Sequence, residues 1–397
     1  MSPLDGLFVV DFSRVLAGPY CTMQLADLGA RVIKIEQPGR GDDTRAWGPP
    51  FVGTESAYFL SVNRNKESLA LDLKHPRARA ILDALLARAD VLVENFRPGT
   101  MARLGLGYDE IHASHPRIVY ASISGFGQTG PRHADAGYDA MMQAEGGLMS
   151  ITGTAGGPPV RLGVAIADIA TGMFAVQGIL AALYARERAG RGQRVDIAML
   201  DAVTALLTYQ ASSAFATGAT PVRMGNRHPS IAPYDTFAAA DGDFVLAVGN
   251  DDQFQRLAGV LARPALGVDP RFATNADRVR NHEPLREELA PLLAARTRQD
   301  LLKALTAAGV PAGAVRSVTE ALADPQLASR EMIVPLEHLT AGPIRVLGTP
   351  LKLSETPAAI RTPPPALGQH TATILAQDLG LSDRDIESLR AAGAIGS

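Results

Sequence analysis

The chain has 397 residues, 46% hydrophobic, 20% charged and 5% aromatic, a composition that argues for two or three packed domains and against disorder. Its 38 Lys and Arg against 41 Asp and Glu leave a formal charge of −3 with no dense basic run, which speaks against a nucleic-acid partner. A single cysteine, Cys21, rules out an internal disulfide framework and a paired-cysteine zinc site, and reads as a small buried apolar side chain.

The opening Met1 to Gly6 has no basic stretch followed by an apolar run, and no segment offers the roughly 18 uninterrupted apolar residues that suggest a membrane span. A cytoplasmic protein is expected. Leu7 to Phe12 is a short apolar, β-branched run that predicts a strand, and Pro19 to Leu28 then carries helical spacing up to Gly29. Val32 to Glu36, Val91 to Glu94 and Ile118 to Ser124 read as further strands, with an Ala- and Leu-rich helix over Ala78 to Ala89. Such alternation predicts parallel strands joined by crossover helices, an open α/β sheet.

Asp168 to Arg188 is apolar on most faces and predicts a buried central helix, followed by a strand over Arg194 to Met199 and a helix from Asp201 to about Ala216. From Gly218 to Pro233 the hydrophobic period gives way to Gly, Pro, Arg, Asn and His, the pattern of a linker or an active-site loop and a candidate domain boundary. A smaller unit follows, with a strand at Phe244 to Val248, helices near 252–261, 284–295 and 299–308, and a strand-like Ala314 to Val318. The tail from about Asp324 is Pro-rich and ends in helical segments at 371–379 and 382–391.

Gly125-Phe126-Gly127-Gln128-Thr129-Gly130 is a literal G-x-G-x-x-G behind a predicted strand. A dinucleotide fingerprint should open a helix and meet an acidic residue about 20 positions on. Pro131 to Gly137 has no helical period, so the glycines are read instead as a loop that needs positive φ or a close backbone approach.

Several motifs together carry a resemblance. They are PLDGLFVVDFSRVLAGPYCTMQLADLGARVIKIEQPGRGDDTR from Pro3, NRNKESLALDLK from Asn63, VLVENFRPGTMARLGLGY from Val91, SGFGQTGP from Ser124 and GYDAMMQAEGGLMSITG from Gly137. D-x-x-T-G from Asp168, GRGQRVDIAMLDA from Gly190, GNRHPSIAPYDTF from Gly225 and LGQHT from Leu367 continue the series. In this order the chain resembles the family III CoA transferases (CaiB/BaiF), the group that includes formyl-CoA transferase, carnitine CoA transferases and α-methylacyl-CoA racemases. The resemblance implies an α/β fold with a Rossmann-like CoA-binding domain and a small α/β domain, in an interlocked, ring-like homodimer. The large domain is then discontinuous, residues 1–217 and 324–397, with 218–233 as linker or active-site loop and 234–323 as the small domain.

Read from the residues alone, Asp168 is a helix N-cap. The resemblance makes it the nucleophile, and the two roles are compatible because a helix N-terminus favours an ionised carboxylate. With an ordinary pKa of about 3.9 it is expected to be ionised at neutral pH without a general base. By analogy it attacks the donor thioester to give a mixed anhydride, which the released thiolate converts to an aspartyl-CoA thioester. CoA and acyl-CoA then enter as substrates, with no permanently bound cofactor and no metal.

The resemblance also places Val15, Leu71, Lys74, Asn95, Phe96, Arg103 and Tyr138 along the CoA site, Lys74 and Arg103 as phosphate partners and Phe96 as an adenine or pantetheine wall. Gln37 stands where formyl-CoA transferase has an arginine that meets adenine, and Leu16 replaces a glutamine beside its reacting groups. Racemases of the group resemble G-H-D, whereas this chain has Gly137-Tyr138-Asp139. Tyrosine, with a pKa of about 10, is a poor proton acceptor at neutral pH, so transfer is favoured over 2-methylacyl-CoA racemisation. Tyr138 and Asp139 join Asp168 as candidate catalytic residues, with His228 in Gly225-Asn226-Arg227-His228-Pro229, a pattern like that of members using succinyl-CoA. Arg14 and Arg45 are expected on loops near the acyl pocket, to grip the distal carboxylate of a dicarboxylic acid. A CoA-binding protein without turnover is the reading from another class, and the intact Asp168 weakens it.

Overall fold

The computed structural model describes residues 1–396. Six strands form the main sheet: β1 (Phe8–Asp11), β2 (Arg31–Glu36), β3 (Lys66–Ala70), β4 (Val91–Glu94), β5 (Val119–Ser124) and β6 (Arg194–Ala198). They lie in the order β3-β2-β1-β4-β5-β6, and every pairing is parallel. This is the doubly wound order, in which the chain works outward in one direction from β1 and then in the other from β4. A crevice opens at that reversal, between the loop after β1 and the loop after β4, and ligands of open α/β sheets bind there.

Strand alternation sends Val9 to one face and Val10 to the other, and both faces are covered. Helices α1 (Ala17–Asp27) and α4 (Ile166–Ala189) share a core with Val9, Val32, Val93 and Ala121. On the opposite face α2 (Ala78–Leu86) and the helices Thr371–Leu379 and Asp383–Ala391 pack with Val10, Ile33, Leu69 and Leu92. Between α2 and α4 a short helix, α3 (Asp139–Glu145), precedes the nucleophile candidate's segment. By length and composition α4 would suffice to cross a membrane; here Ala175, Ile179 and Ala182 are buried in the core formed with the sheet.

The chain divides into two compact units, one of Met1–Leu148, Leu162–Ala211 and the residues from Pro325 on, the other of Met149–Arg161 and Ser212–Asp324. Residues 149–161, which sequence reading leaves with the large domain, belong to the second unit. Arg223 donates to the carbonyls of Gly157 (3.1 Å) and Ser150 (3.3 Å), and the Gly225 N–H to that of Gly153 (2.9 Å). The second unit holds an antiparallel sheet of β7 (Tyr234–Ala239), β8 (Gly242–Ala247) and β9 (Ala312–Ala314). Phe237, Phe244, Leu246, Phe254, Leu289 and Leu305 fill its core. The helix expected over 201–216 is two, α5 (Met199–Ala205) and Thr208–Thr217, interrupted where Thr208 takes φ 40°.

In the first unit the tail adds a hairpin, β10 (Ile333–His338) with β11 (Gly342–Leu347). Residues 394–396 then return to the edge of β3: Leu71 bridges Ile395, the Asp72 N–H donates to Ala394 O (2.9 Å) and the Gly396 N–H to Ala70 O (3.0 Å).

Candidate active site

Two cavities flank the crevice between β1 and β4. The larger, about 500 Å³, is walled by Phe12 to Arg14, Glu36 and Gln37, Leu71 to Lys74, Phe96 and Arg103. The smaller, about 140 Å³, is walled by Val15, Ala17, Asn95, Gly137, Tyr138 and Asp168 among others. Arg14 and Phe96 line both, with the guanidinium 5.3 Å from the ring centroid. An extended ligand can therefore run from the cationic end at Lys74 and Arg103, past Phe96, to Asp168.

The loop that separates the cavities is held in an uncommon shape. Val15 has φ 69°, a costly conformation for a β-branched residue. Asn95 clips the preceding residue at both backbone groups, its Oδ1 accepting from the Arg14 N–H (2.9 Å) and its Nδ2 donating to the Arg14 carbonyl (2.7 Å). Asp42 accepts from the Val15 N–H at 3.2 Å and pairs with the Lys34 ammonium at 3.0 Å. Burial works against the Asp42 charge, but Lys34 and Thr44 bring its carboxyl down to about 2. Lys34 also donates to the Ser13 carbonyl (2.6 Å), while Asp11 accepts from Thr22 (2.6 Å) and from Lys66 (3.2 Å). All four charges are buried, so the loop rests on a fully paired polar core.

Asp168 is not the N-cap expected from its sequence position. The helix begins earlier, at Ile166 with Ala165 as N-cap, which places Asp168 in the first turn. Its carboxylate accepts instead from the Ala17 N–H, the first residue of α1, a helix whose own N-cap residue Leu16 offers no side-chain acceptor. Gly172 permits this meeting: a Cβ there would stand 2.7 Å from the Ala17 carbonyl oxygen and 3.0 Å from the Tyr20 ring. That accounts for the glycine of D-x-x-T-G, and Thr171 returns its hydroxyl to the Ala167 carbonyl (2.6 Å). Burial and then the negative charge of Asp139 push the Asp168 carboxyl up to about 7, with the Ala17 N–H opposing them. The expectation of a fully ionised nucleophile at neutral pH is corrected accordingly.

Tyr138 and Asp139 face different ways. Tyr138 is exposed and lines the smaller cavity. Asp139 opens α3 and turns to the start of α4, its Oδ1 accepting from the Ala167 N–H (2.9 Å) and its Oδ2 from Gln143 Nε2 (2.7 Å). Asp139 thus supplies the cap that Ala165 does not. The glycines of the G-x-G-x-x-G stretch follow β5 rather than β1, and no helix starts on them. Gly127 and Gly130 take φ 83° and 87°, as expected, while Gly125 is required by contact: a Cβ on it would lie 2.8 Å from Gly137 Cα, and one on Gly137 2.6 Å from Gly125 Cα. This backbone crossing delivers Tyr138 to the cavity.

The other residues singled out from sequence separate. Leu71, Lys74, Phe96 and Arg103 meet around the larger cavity, with Gln37 on the same wall; Val15, Asn95, Phe96 and Tyr138 meet around the smaller. Arg14 lines both, half-exposed and 3.3 Å from Asp43. Arg45 lines neither, contrary to expectation. Its guanidinium is engaged by Glu36 at 2.8 Å, by the Pro365 carbonyl at 3.1 Å and by the Phe59 ring at 3.6 Å. His228 belongs to the second unit, where its Nδ1 accepts from the Ser230 N–H (3.0 Å) and its ring lies 5.4 Å from Tyr234. Sequence reading missed Tyr58, whose hydroxyl is pushed up to about 12 by burial and by Asp168, Asp139 and Asp42. It also missed the Ala17 N–H and Gln143, although the i, i+4 spacing of Asp139 and Gln143 is a usable signal. Among the described residues no cluster of three or more His, Cys, Asp or Glu side chains is arranged to hold a metal.

A doubly wound sheet with a strained loop, a cavity wall carrying Lys74 and Arg103, and a half-buried carboxylate at its switch point has the layout of an α/β enzyme that binds an extended anionic ligand, without the helix-opening glycine loop of a dinucleotide binder. The chain belongs to CoA-transferase family III, whose model matches residues 4–371. It is similar to succinyl-CoA:glutarate CoA-transferase of Mus musculus, 44% identical over 399 residues that cover 100% of this chain and 91% of that protein. Acetyl-CoA:oxalate CoA-transferase of Acetobacter aceti is 46% identical over 353 residues, 89% of each chain. The crystal structure of a CAIB/BAIF family protein from Brucella suis superposes with a TM-score of 0.86 at 42% identity, covering 95% of this chain and 99% of that one.

Proposed function

We propose that the protein transfers CoA from succinyl-CoA to a small dicarboxylic acid through an aspartyl-CoA thioester on Asp168. The observation that carries the reading is the position of that carboxylate, at the inner end of a crevice whose outer end is cationic, within reach of a helix N-terminus. The named activities of the mouse and Acetobacter relatives supply the substrate class.

In this mechanism an Asp168 oxygen attacks the thioester carbonyl, the C–S bond breaks, and the electron pair leaves on the CoA thiolate. The thiolate attacks the Asp168 carbonyl of the mixed anhydride and expels the donor carboxylate. The acceptor carboxylate then attacks the aspartyl-CoA, and the thiolate returns to the acceptor's carbonyl, restoring Asp168. No proton is consumed and no ATP is needed, since one thioester replaces another. The Ala17 N–H and the dipole of α1 stabilise the negative oxygen at each attack. Arg14 is the remaining candidate for the distal carboxylate, half-exposed and, among the described residues, paired with the acidic side chain of Asp43 at 3.3 Å.

Assembly as a homodimer is part of the same reading. Met173, Phe174 and Tyr184 of α4 are exposed, with Tyr184 at 63%, and a partner would cover them. Light scattering on the purified protein tests this.

Activity is tested by incubating the protein with succinyl-CoA or acetyl-CoA and a panel of acids, including glutarate, oxalate, mesaconate and acetate, and weighing the CoA esters. Dicarboxylyl-CoA products are expected. Loss of stereochemistry in a 2-methylacyl-CoA without any acceptor would overturn transfer in favour of racemisation, and no exchange with any acid would favour a binding protein. Asp168→Ala should abolish exchange with CoA affinity nearly unchanged, and hydroxylamine should add mass to wild-type Asp168 during turnover.

A further inference from the structure

We propose that Gln143 is a positioning residue for the transfer reaction, acting on Asp168 through Asp139. The inference rests on Asp168 being the nucleophile. Gln143 is 1% exposed and uses both ends of its amide. Its Nε2 donates to Asp139 Oδ2 (2.7 Å) and its Oε1 accepts from the Leu162 N–H (2.9 Å). Asp139 Oδ1 in turn accepts from the N–H of Ala167, the neighbour of Asp168. A continuous chain of hydrogen bonds therefore runs from the segment that enters α4, through α3, to the first turn of α4.

The arrangement does more than tie two segments together. Asp139 and Asp168 are close enough for the charge of one to be felt by the other. Two neighbouring carboxyl groups that are free to turn share a proton, and a nucleophile that shares a proton is blocked. Here neither Asp139 oxygen is free to turn, one being held by the start of α4 and the other by Gln143. An amide is the side-chain group that both donates to a carboxylate and accepts from a backbone N–H. Gln143 therefore keeps the Asp139 charge fixed and Asp168 unshared. The other titratable groups around the nucleophile are Tyr58, and, on the cavity wall, Arg14, Asp43, Arg97, Asp135 and Tyr138. None of these is held by Gln143.

Steady-state kinetics with succinyl-CoA and the best acceptor, over about pH 5.5 to 9, test the assignment on wild type, Gln143→Met and Gln143→Glu. Q143M loses the donor to Asp139. Its kcat should fall at least tenfold, with KM for succinyl-CoA within about twofold, and the acid limb of its kcat profile should move to higher pH. In Q143E the introduced carboxyl, while protonated, is isosteric with the amide and still donates to Asp139. Its activity relative to wild type should be near unity around pH 6 and fall as that carboxyl ionises. A folded Q143M with wild-type kcat and acid limb would overturn the proposal, as would a Q143E that follows Q143M at every pH. Should Q143M fail to fold, the pH-dependent rescue in Q143E decides alone. Absence of hydroxylamine-trapped Asp168 in the wild type would instead overturn the nucleophile assignment, whatever the variants do.

Discussion

The Ala17 N–H donates to the Asp168 carboxylate, so one acidic side chain stands at the N-termini of both α1 and α4. Each helix dipole favours the charged form, whereas burial and Asp139 oppose it, and the opposition prevails. A carboxyl poised near neutrality is the outcome.

Turnover should therefore depend on pH where an ordinary aspartate would not. The kcat/KM for acyl-CoA is expected to fall about tenfold per unit as pH drops below about 7. A profile flat down to pH 5 would show that Asp168 stays ionised.

The same shift predicts a stability effect of opposite sense. Asp168 in the folded protein binds its proton more tightly than in the unfolded chain, so its contribution is fully present below the unfolded pKa near 4 and is lost as pH rises through about 7. Asp168→Asn keeps an acceptor for the Ala17 N–H and removes the buried charge. At pH 8 it should be more stable than wild type by roughly 1–3 kcal/mol, and at pH 4 equal to it, as read by urea melts.

Gly172→Ala should separate the two helices that Asp168 joins. Its Cβ would meet the Ala17 carbonyl oxygen at 2.7 Å, a backbone atom that yields only if α1 shifts. A loss of about 1–3 kcal/mol is expected. Turnover should fall more than CoA affinity does, because the larger cavity lies away from this contact; equal losses in both would argue otherwise.

Lys74→Ala and Arg103→Ala should each raise KM for acyl-CoA about fivefold to tenfold, with kcat within twofold, since both line the larger cavity and neither touches the smaller. A lowered kcat at unchanged KM would remove them from the binding wall.

Lys66→Met removes the cation paired with Asp11 in a fully buried cluster, where burial pushes the Lys66 ammonium down to about 8 even with that partner beside it. The unpaired Asp11 should cost about 3–5 kcal/mol in chemical denaturation. Adding Asp11→Asn to the same chain should recover part of that loss.

Four inner strands of the first unit's sheet were legible as short apolar runs buried on both faces, and β6 as a run beside a helical period, whereas the edge strand β3, Lys66–Ala70 with no β-branched residue, was not anticipated. Less visible were the strands with one wet face: β7 buries only Phe237 and Ala239, and β10 carries Pro335. The site divided in a similar way. Asp168, Tyr138 and Asn95 stand in recognisable motifs, whereas the Ala17 N–H is backbone and no residue type announces it. Arg45 was misplaced because Glu36, nine positions earlier on β2, claims the guanidinium, a pairing set by the sheet and not by local spacing. Only Gln143 was within reach of sequence reasoning and overlooked, four residues after Asp139 on the same helix.

The return of residues 394–396 to the edge of β3 also bears on the order in which the walls of the larger cavity form. Leu71 to Lys74 wall the larger cavity, yet the backbone around them is completed by Ala394, Ile395 and Gly396. Contacts spanning more than 300 residues form late, because the chain between them must be made and ordered first. The backbone behind Leu71 to Lys74 therefore orders late in folding, after the strands and loops that carry the rest of the lining of the two cavities.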